Sequence, residues 1–389
     1  SDYQHPIGSN QMLEFGGKGI FRQVVSDYKY EISNSATGEF LIDQNNPSGI
    51  LDYRQNVAAT YLSYTYSTKS KLTFKGGARY EYTNIAAEIV GEDTLSIPDY
   101  GTLVPSLNIS KNLKTGGAIK VGYNRRIQRP GLQQLNPNYN TANTQNITIG
   151  NPNLEPEMTD NIELSLSKNV KKTYFNVSLF GRITNNSITQ VRQASDELQG
   201  AIITTFENIG KQQAIGTNVF ANVFITPKWT VNGGVDMFYS FLEGRTTING
   251  QSVPLSNSGF NINGRIMTQL TFGKGWTAQG FSFIRGGQVQ LQGRQGGFYV
   301  YSLGARKDFK NKKGSIGLSA ENFLARGIRV RTELSSPEFT SVNEDLRLNR
   351  GIKVNFTYKL GKMTFDAPRR KAKSVNNDDV KAGEGNGNQ

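Results

Sequence analysis

Apolar and polar residues alternate with a period of two along most of this chain, and this alternation limits its fold more than any other feature. One segment reads LTFKGGARYEYT and places Leu72, Phe74 and Tyr80 on one face and Lys75 and Arg79 on the other. Because successive side chains of a β-strand point to opposite faces, the pattern predicts strands with one apolar and one polar face. Such strands are typical of a sheet that separates lipid from water.

The composition permits such a sheet, although the mean hydropathy of -0.49 is typical of a water-soluble chain. The high counts of glycine (42), tyrosine (17) and phenylalanine (21) are compatible with lipid-facing strands. No stretch approaches the roughly 18 consecutive apolar residues of a membrane-spanning helix. Cysteine is absent, which excludes disulfides and cysteine-ligated metals. The polar start at Ser1 has no signal-peptide pattern, so we expect a mature or trimmed chain.

The order of the connections indicates a membrane barrel. We predict about 14 strands, the first from near Gln11 and the last ending near Leu360. Long polar connections follow the odd-numbered strands and short turns follow the even-numbered ones, as in barrels whose two rims face different compartments. The sequence therefore predicts an all-β fold, a transmembrane antiparallel up-and-down β-barrel. The alternative is a soluble all-β protein whose aromatic residues form an ordinary core.

Two local predictions and a domain boundary complete this organisation. We expect one strand from about Ile202 to Ile225 with a bulge or kink near Gly210, and a turn at Asn249 and Gly250. Residues 1–362 are assigned to the barrel. Residues 363–389 begin with a basic run and continue as a polar, glycine-rich tail, which we expect to be a periplasmic extension that orders only on binding.

The longest segment without alternation runs from Arg125 to Glu157 and is rich in asparagine, proline and glycine. Prolines stiffen such a segment and asparagine side chains satisfy its backbone, so the sequence predicts a pre-organised loop. Its position after an odd-numbered strand predicts that it lies on the extracellular side. The candidate residues for ligand contact or loop anchoring are Arg125, Arg126, Arg129, Tyr139, Asn151, Glu155 and Glu157.

The three arginines of this loop allow two interpretations. Their guanidinium groups would bind a carboxylate or phosphate of a ligand or of lipopolysaccharide in a bidentate manner. Alternatively, they pair with Glu155, Glu157 or Glu163 across the base of the loop. We favour this structural role because an ordered loop of such length needs internal anchoring. We expect alanine at Arg126 and Arg129 to loosen the loop.

Candidate chemistry beyond this loop is sparse. His5 is the single histidine and precedes the first predicted strand, without a partner motif for a catalytic triad, so we expect no enzyme. The acidic pairs at 92–93 and 378–379 lack the spacing of a calcium loop and are interpreted as solvated surface, so neither a metal nor a cofactor is expected. The net charge of +13 comes from scattered basic residues without a nucleic-acid-binding motif, and we expect no nucleic-acid partner. A basic lumen or rim accounts better for the charge.

Two long motifs carry a family resemblance. The segments NRRIQRPGLQQLNPNYN, from Asn124, and GNPNLEPE, from Gly150, resemble the C-terminal barrel region of TonB-dependent receptors, in particular the Bacteroidetes outer membrane protein β-barrel family. The resemblance spans essentially the whole chain. Shorter matching segments occur in the same order: DYQHPIG, LEFGGK, GGARYEYT, LVPSLNIS, ENIG and YKLGK.

This resemblance implies an outer-membrane location in a Gram-negative bacterium, with extracellular loops and a periplasmic tail. It implies import of a large nutrient, such as a siderophore, glycan or peptide, and no cofactor. The alternative is a non-transporting structural or docking subunit of an outer-membrane assembly. Expected partners are outer-membrane lipid and lipopolysaccharide, the TonB system through a plug absent from this chain, and a surface lipoprotein or periplasmic protein.

The chain departs from the family pattern in its strand count and in lacking a plug. Family members enclose an N-terminal plug within a barrel of about 22 strands. We therefore expect either the C-terminal part of a longer receptor or a shortened relative with its own barrel. A ring of about 14 strands would be wide enough that inward-folded loops must fill or line its lumen.

Overall fold

A computed structural model gives the fold of the protein. It describes residues 1–34, 37–43, 49–89, 94–95, 97–114, 116–138, 140, 145–195, 200–208, 210–248, 251–311, 313–336 and 339–360. The described helices are short: α1 (Leu132–Leu135) and a single 3-10 turn (Gly273–Gly275). In the described ranges, no helix combines the length and the apolar character needed to cross a membrane.

Fifteen strands form one antiparallel sheet in which each strand pairs with those before and after it in this series. A further short strand, Thr94–Leu95, pairs with the fourth of them. The series confirms the predicted all-β fold. The strands are β1 (Asp2–Ile7), β2 (Gln11–Tyr28), β3 (Gly49–Ser67), β4 (Leu72–Ile89), β5 (Tyr100–Leu113), β6 (Gly117–Gln128), β7 (Glu157–Val170), β8 (Thr173–Asn185), β9 (Lys211–Thr226), β10 (Trp229–Ile248), β11 (Gln251–Thr271), β12 (Trp276–Arg285), β13 (Phe298–Asp308), β14 (Gly314–Glu321) and β15 (Gly351–Tyr358).

Short and long connections alternate along this series, as predicted. Short turns follow the odd-numbered strands and define one rim of the sheet, which we call the short-turn rim. Long connections follow the even-numbered strands except β10, and these connections define the long-loop rim. The strands β10 and β11 are themselves long at this rim. β12 pairs with β11 only from Asn263 onward, so the earlier part of β11 extends beyond β12. Such sorting is typical of barrels whose two rims face different compartments.

The long connections contain secondary structure of their own. Strands Asn146–Thr148, Ile188–Ala194 and Ile202–Asn208 form a small sheet. Another sheet joins the connections that follow β12 and β14. Its strands are Gln288–Gln290, Gly293–Gln295, Ile328–Ser335 and Thr340–Arg347, and a separate hairpin is formed by Glu31–Ser33 and Phe40–Ile42.

The structure corrects two details of the sequence predictions. The sheet has one strand more than expected, because Asp2–Ile7 pairs with β2 and His5 therefore lies within a strand, opposite Leu13. The segment predicted as one strand from Ile202 consists of two strands in different sheets. The chain turns between them at Gly210, whose φ of 91° is open to glycine and strained for other residues. The predicted turn at 249–250 lies outside the described residues.

The two faces of the sheet differ as the alternation predicts. Leu164, Val177 and Leu179 are among the many apolar side chains that are exposed on one face, which we call the outer face. An apolar surface that continues across all the strands would be unstable in water, and it fits contact with lipid. The opposite, inner face carries polar and charged side chains, including Ser165 and Glu163.

Part of the inner face is covered by the long connections, and the buried core lies there. Leu51 and Tyr53 of β3, near the long-loop rim, pack in one cluster with Leu135, Ile188 and Phe206 from the connections after β6 and β8. Burial of these side chains holds the connections inside the curve of the sheet. The inward folding predicted for the loops is therefore observed.

The sheet is open in the described chain, with β1 and β15 as its two edges. Since neighbouring strands alternate in direction, the first and the fifteenth strand run the same way. Direct pairing of these edges would therefore be parallel, within one copy or between two copies. An all-antiparallel ring requires an odd number of additional strands between them.

The assignment of the two faces predicts opposite effects of the same charge at adjacent positions. Arginine at Leu164, on the outer face, should lower the free energy of unfolding in vesicles by about 2–4 kcal/mol because it places a charge in lipid. Arginine at Ser165, on the inner face, is the matched control and should change it little. Equal losses at both positions would contradict the assignment.

Candidate functional site

Arg129 holds the beginning of the long connection after β6 against the inner face. Its guanidinium is fully buried, and its Nη2 donates to Glu81 Oε2 at 2.6 Å and to Thr83 Oγ1 at 2.9 Å. Glu81 and Thr83 alternate along β4 and so point to the same face. The Tyr100 ring lies with its centroid 6.0 Å from the guanidinium carbon. This buried ion pair fixes the point at which the chain leaves the barrel wall.

A second set of buried polar contacts continues from this site. The Arg79 Nε also donates to Glu81, so that one carboxylate bridges two arginines. On the neighbouring strand the Gln55 amide donates to the Tyr53 hydroxyl at 3.0 Å and accepts from Arg22. Burial of charged groups is costly unless each one is paired, and these contacts meet that condition.

Arg125 lies on the other side of the wall. Its Nε and Nη2 donate to the two carboxylate oxygens of Asp160 at 2.9 Å and 3.0 Å, and the Tyr123 hydroxyl donates to the same carboxylate at 2.7 Å. The outer face carries all three residues. The predicted arginine cluster is therefore divided, because consecutive strand residues point to opposite faces. The partners observed for Arg125 and Arg129 are Asp160 and Glu81, which the sequence analysis did not name.

Arg126 points into the lumen and is exposed there. Within the described part of the chain, its guanidinium has no hydrogen-bond or ion-pair partner. It lies between two cavities of the inner face, of about 750 Å³ and 840 Å³, and contributes to both linings. Beside it, the buried Asn124 Oδ1 lacks a hydrogen-bond partner in the described chain. The exposed Arg126 guanidinium is therefore available to a ligand in the lumen.

The three other described candidates fasten the loop to the connection that follows β8. Asn151 Nδ2 donates to the carbonyl oxygen of Phe206 at 2.9 Å. Glu155 Oε2 accepts from the Asn186 amide at 3.0 Å. Glu157 Oε1 accepts from the Ile188 backbone N–H at 2.6 Å. Tyr139, the remaining candidate, lies outside the described residues, and the functional role of the whole set stays a prediction.

Sequence reasoning missed a contact between two distant connections. The Gln292 side chain accepts from the backbone N–H of Arg192 at 3.0 Å and donates to the carbonyl oxygen of the same residue at 3.1 Å. The amide thus bonds to both the N–H and the C=O of one residue, as the backbone of a neighbouring strand does. Nothing in the pattern around Gln292 distinguishes it from the other glutamines of its segment, so the contact had no sequence signal.

The larger of the two lumenal cavities offers hydrogen bonding together with an aromatic surface. Phe180 and Phe238 stand on either side of Gly216, and their ring centroids are 6.3 Å apart. A side chain at Gly216 would collide with Phe238, so glycine is required for this arrangement. Arg182 lies over the Phe180 ring at 5.5 Å. The wall can therefore bind polar ligands that also present an apolar surface.

The described residues contain no group of three or more histidine, cysteine, aspartate or glutamate side chains that could hold a metal ion. His5 is exposed on the edge strand β1, where its ring stacks on Tyr3 at 6.3 Å. The described surroundings of His5 include no side chain placed as a nucleophile for it to activate. The inner face instead offers polar and aromatic groups to a ligand.

The fold, the lipid-facing outer surface and the filled lumen define an outer-membrane β-barrel protein. The sequence profile of the outer membrane protein beta-barrel family matches residues 1–358, and the chain belongs to this family.

Solved structures that the chain resembles are TonB-dependent receptors. They include the copper transporter OprC, with a TM-score of 0.62, 11% identity and coverage of 92% of this chain and 55% of that chain. For the siderophore receptor PiuA from Acinetobacter baumannii the TM-score is 0.64 and the identity 14%, with coverage of 91% of this chain and 54% of that chain. For the ferric yersiniabactin uptake receptor FyuA from Yersinia pestis the TM-score is 0.59 and the identity 15%, with coverage of 91% of this chain and 52% of that chain.

At these identities the likeness shows the fold alone. The chain spans about half the length of these structures. No curated protein sequence matches it significantly.

The contacts of Arg129 and Arg126 predict different results for the two alanine substitutions. Arg129→Ala leaves the Glu81 carboxylate without its buried partner, which should cost about 3–5 kcal/mol and expose residues 129–156 to protease. Arg126→Ala removes no described contact and serves as the matched control, with cleavage at the wild-type rate. Wild-type protease resistance in Arg129→Ala would refute the anchoring role.

Burial raises the pKa of the Glu207 carboxyl, in the strand Ile202–Asn208, above its ordinary value of 4.5. Between the ordinary and the raised pKa the folded carboxyl keeps a proton that the unfolded one releases. Stability of this segment should therefore be greatest below pH 4.5 and fall as the pH rises through the raised pKa. Hydrogen exchange of residues 188–208 should show this dependence, and Glu207→Gln should remove it. The exposed Glu333→Gln is the control and should retain it.

Proposed function

We propose that this chain forms the C-terminal barrel wall of a TonB-dependent receptor that imports a large nutrient, such as a siderophore, glycan or peptide, across the outer membrane. The observation that carries the proposal is the lumen. Long connections fold onto the inner face through Arg129 and the core around Leu135 and Phe206, while large polar cavities remain along the wall. A lumen of this kind suits controlled passage of a bound ligand better than free diffusion.

In this proposal the long-loop rim is extracellular, and the short-turn rim with the tail after residue 362 is periplasmic. Lipid and lipopolysaccharide contact the outer face. The TonB system acts through a plug outside this chain, and a surface lipoprotein or a periplasmic protein is a further partner. The parallel direction of β1 and β15 supports the need for additional strands, and this chain covers only about half of each matched receptor.

Substrate uptake by cells that produce the full-length protein tests this function. Labelled ferric siderophores, oligosaccharides and peptides should be compared in cells with and without the gene. We expect at least one class to be taken up only when the gene is present, and its uptake to stop when TonB is removed, because transport against the concentration gradient requires an energy source.

The alternative, a structural or docking subunit, has a different outcome. Uptake of all three classes would then be independent of the gene, and a stoichiometric partner would remain bound during purification. The inner-face substitution Arg126→Ala tests transport separately from folding, since it leaves the described contacts of the fold intact. A transporter should show altered uptake with this variant at an unchanged protein level.

A further inference from the structure

Lysine is concentrated at the short-turn rim. Every short connection after the first carries at least one exposed lysine, and more lie in the adjoining strand ends, such as Lys111 and Lys307. Among the described residues of these connections and the three strand residues on each side, Asp308 is the one acidic residue. One lysine from each connection is Lys71, Lys114, Lys171, Lys228, Lys274 and Lys310.

Three of these lysines occupy backbone positions that do not favour them. Lys71, Lys171 and Lys274 have φ values of 61°, 54° and 62°, in the left-handed region. Glycine adopts this region without strain, and the chain does use glycine in the same kind of turn at Gly116, with φ of 77°. Non-glycine residues in such strained conformations often mark a functional site. Here the property that the three side chains share is a positive charge.

Exposed aromatic side chains lie next to the lysines on the outer face. Trp229, Phe272 and Trp276 are 38%, 50% and 47% exposed and occur at strand ends beside the short turns. The Lys307 ammonium lies 5.1 Å from the centroid of the Trp276 ring. Aromatic side chains of barrels collect at the level of lipid headgroups, so the lysines lie at the headgroup level or just beyond it.

The long-loop rim has a different charge pattern. Its exposed hairpin after β14 pairs Arg329 with Glu344 and Arg331 with Glu333, so that the charges largely cancel. The described residues of the connections after β2, β4, β6 and β8 also include at least as many carboxylates as basic side chains. Positive charge without matching carboxylates is thus a property of the short-turn rim, where it is spread along the rim instead of forming one patch. Charge spread along the whole rim fits a lipid leaflet better than a single protein partner.

We propose that the short-turn rim binds anionic phospholipids of the periplasmic leaflet, with the lysines contacting headgroup phosphates such as those of phosphatidylglycerol. The choice of leaflet rests on the orientation in the proposed function. Binding itself follows from the charge and position of the lysines. Phosphate attracts lysine as a point charge, and the attraction decreases with salt.

The three strained lysines allow a test that separates lipid binding from folding. The triple variant Lys71→Gly, Lys171→Gly and Lys274→Gly removes charge and also relieves backbone strain, so the barrel should be at least as stable as the wild type. A control variant removes the same number of charges from the long-loop rim. Its substitutions are Arg329→Gln, Arg331→Gln and Arg347→Gln.

The full-length protein and both variants should be reconstituted in phosphatidylcholine vesicles with a minor fraction of spin-labelled phosphatidylglycerol or spin-labelled phosphatidylcholine. We expect a several-fold enrichment of phosphatidylglycerol at the wild-type protein, weakened by added salt. The enrichment should fall by at least half in the glycine variant and persist in the control. No enrichment in the wild type, or equal enrichment in the glycine variant, overturns the proposal.

A separate measurement tests the leaflet. A cysteine at Lys172, in a short turn, should react with a membrane-impermeant maleimide only after the outer membrane is permeabilised. Reaction in intact cells would place this rim outside and overturn the assignment to the periplasmic leaflet together with the proposed orientation. The vesicle result would still decide whether the lysines bind anionic lipid, so the two failures are distinguishable.

Discussion

The requirement that every backbone N–H and C=O in hydrocarbon has a partner governs this structure. Each unpaired group there costs several kcal/mol, so strands cross a membrane only within a closed sheet. Strands β2 to β14 meet this condition through pairing on both sides. The edges β1 and β15 do not, and their common direction prevents them from satisfying each other in an antiparallel manner. They can meet the condition directly only by parallel pairing, whereas an all-antiparallel wall needs an odd number of further strands between them.

The side chains divide the work according to the face on which they lie. Apolar residues such as Leu164 meet lipid, and the inner face provides both anchors and free polar groups. Arg125, Arg126 and Arg129 illustrate this division within five positions of the chain. The first forms an ion pair on the outer face, the second is free in the lumen and the third is buried beneath a loop. One residue type thus serves three purposes, and the face to which each side chain points determines which one.

The sequence predicted those parts of the fold that follow from periodicity. Alternation predicted the strands from Gln11 onward and the sorting of their connections. It did not predict β1, because DYQHPI lacks a clear apolar face and contains Pro6, a residue restricted to edge strands. The loop was correctly expected to be anchored, but Glu81 precedes Arg129 by 48 positions and no local pattern joins them. The sequence showed the lysines only as part of the net positive charge. Their common location became evident only when the sheet topology placed the short turns at one rim.

The connectivity of the sheet has a consequence for how the protein folds. Every pair in the main sheet joins strands that follow one another, so the wall can grow one hairpin at a time with a small entropic cost for each loop closed. The contacts inside the barrel have a much higher contact order, with separations of 48 residues for Arg129 and Glu81 and 100 residues for Arg192 and Gln292. They cannot form until the strands that present them are in place. We therefore expect the wall to assemble first and the loops to dock last, as an independently reversible late step.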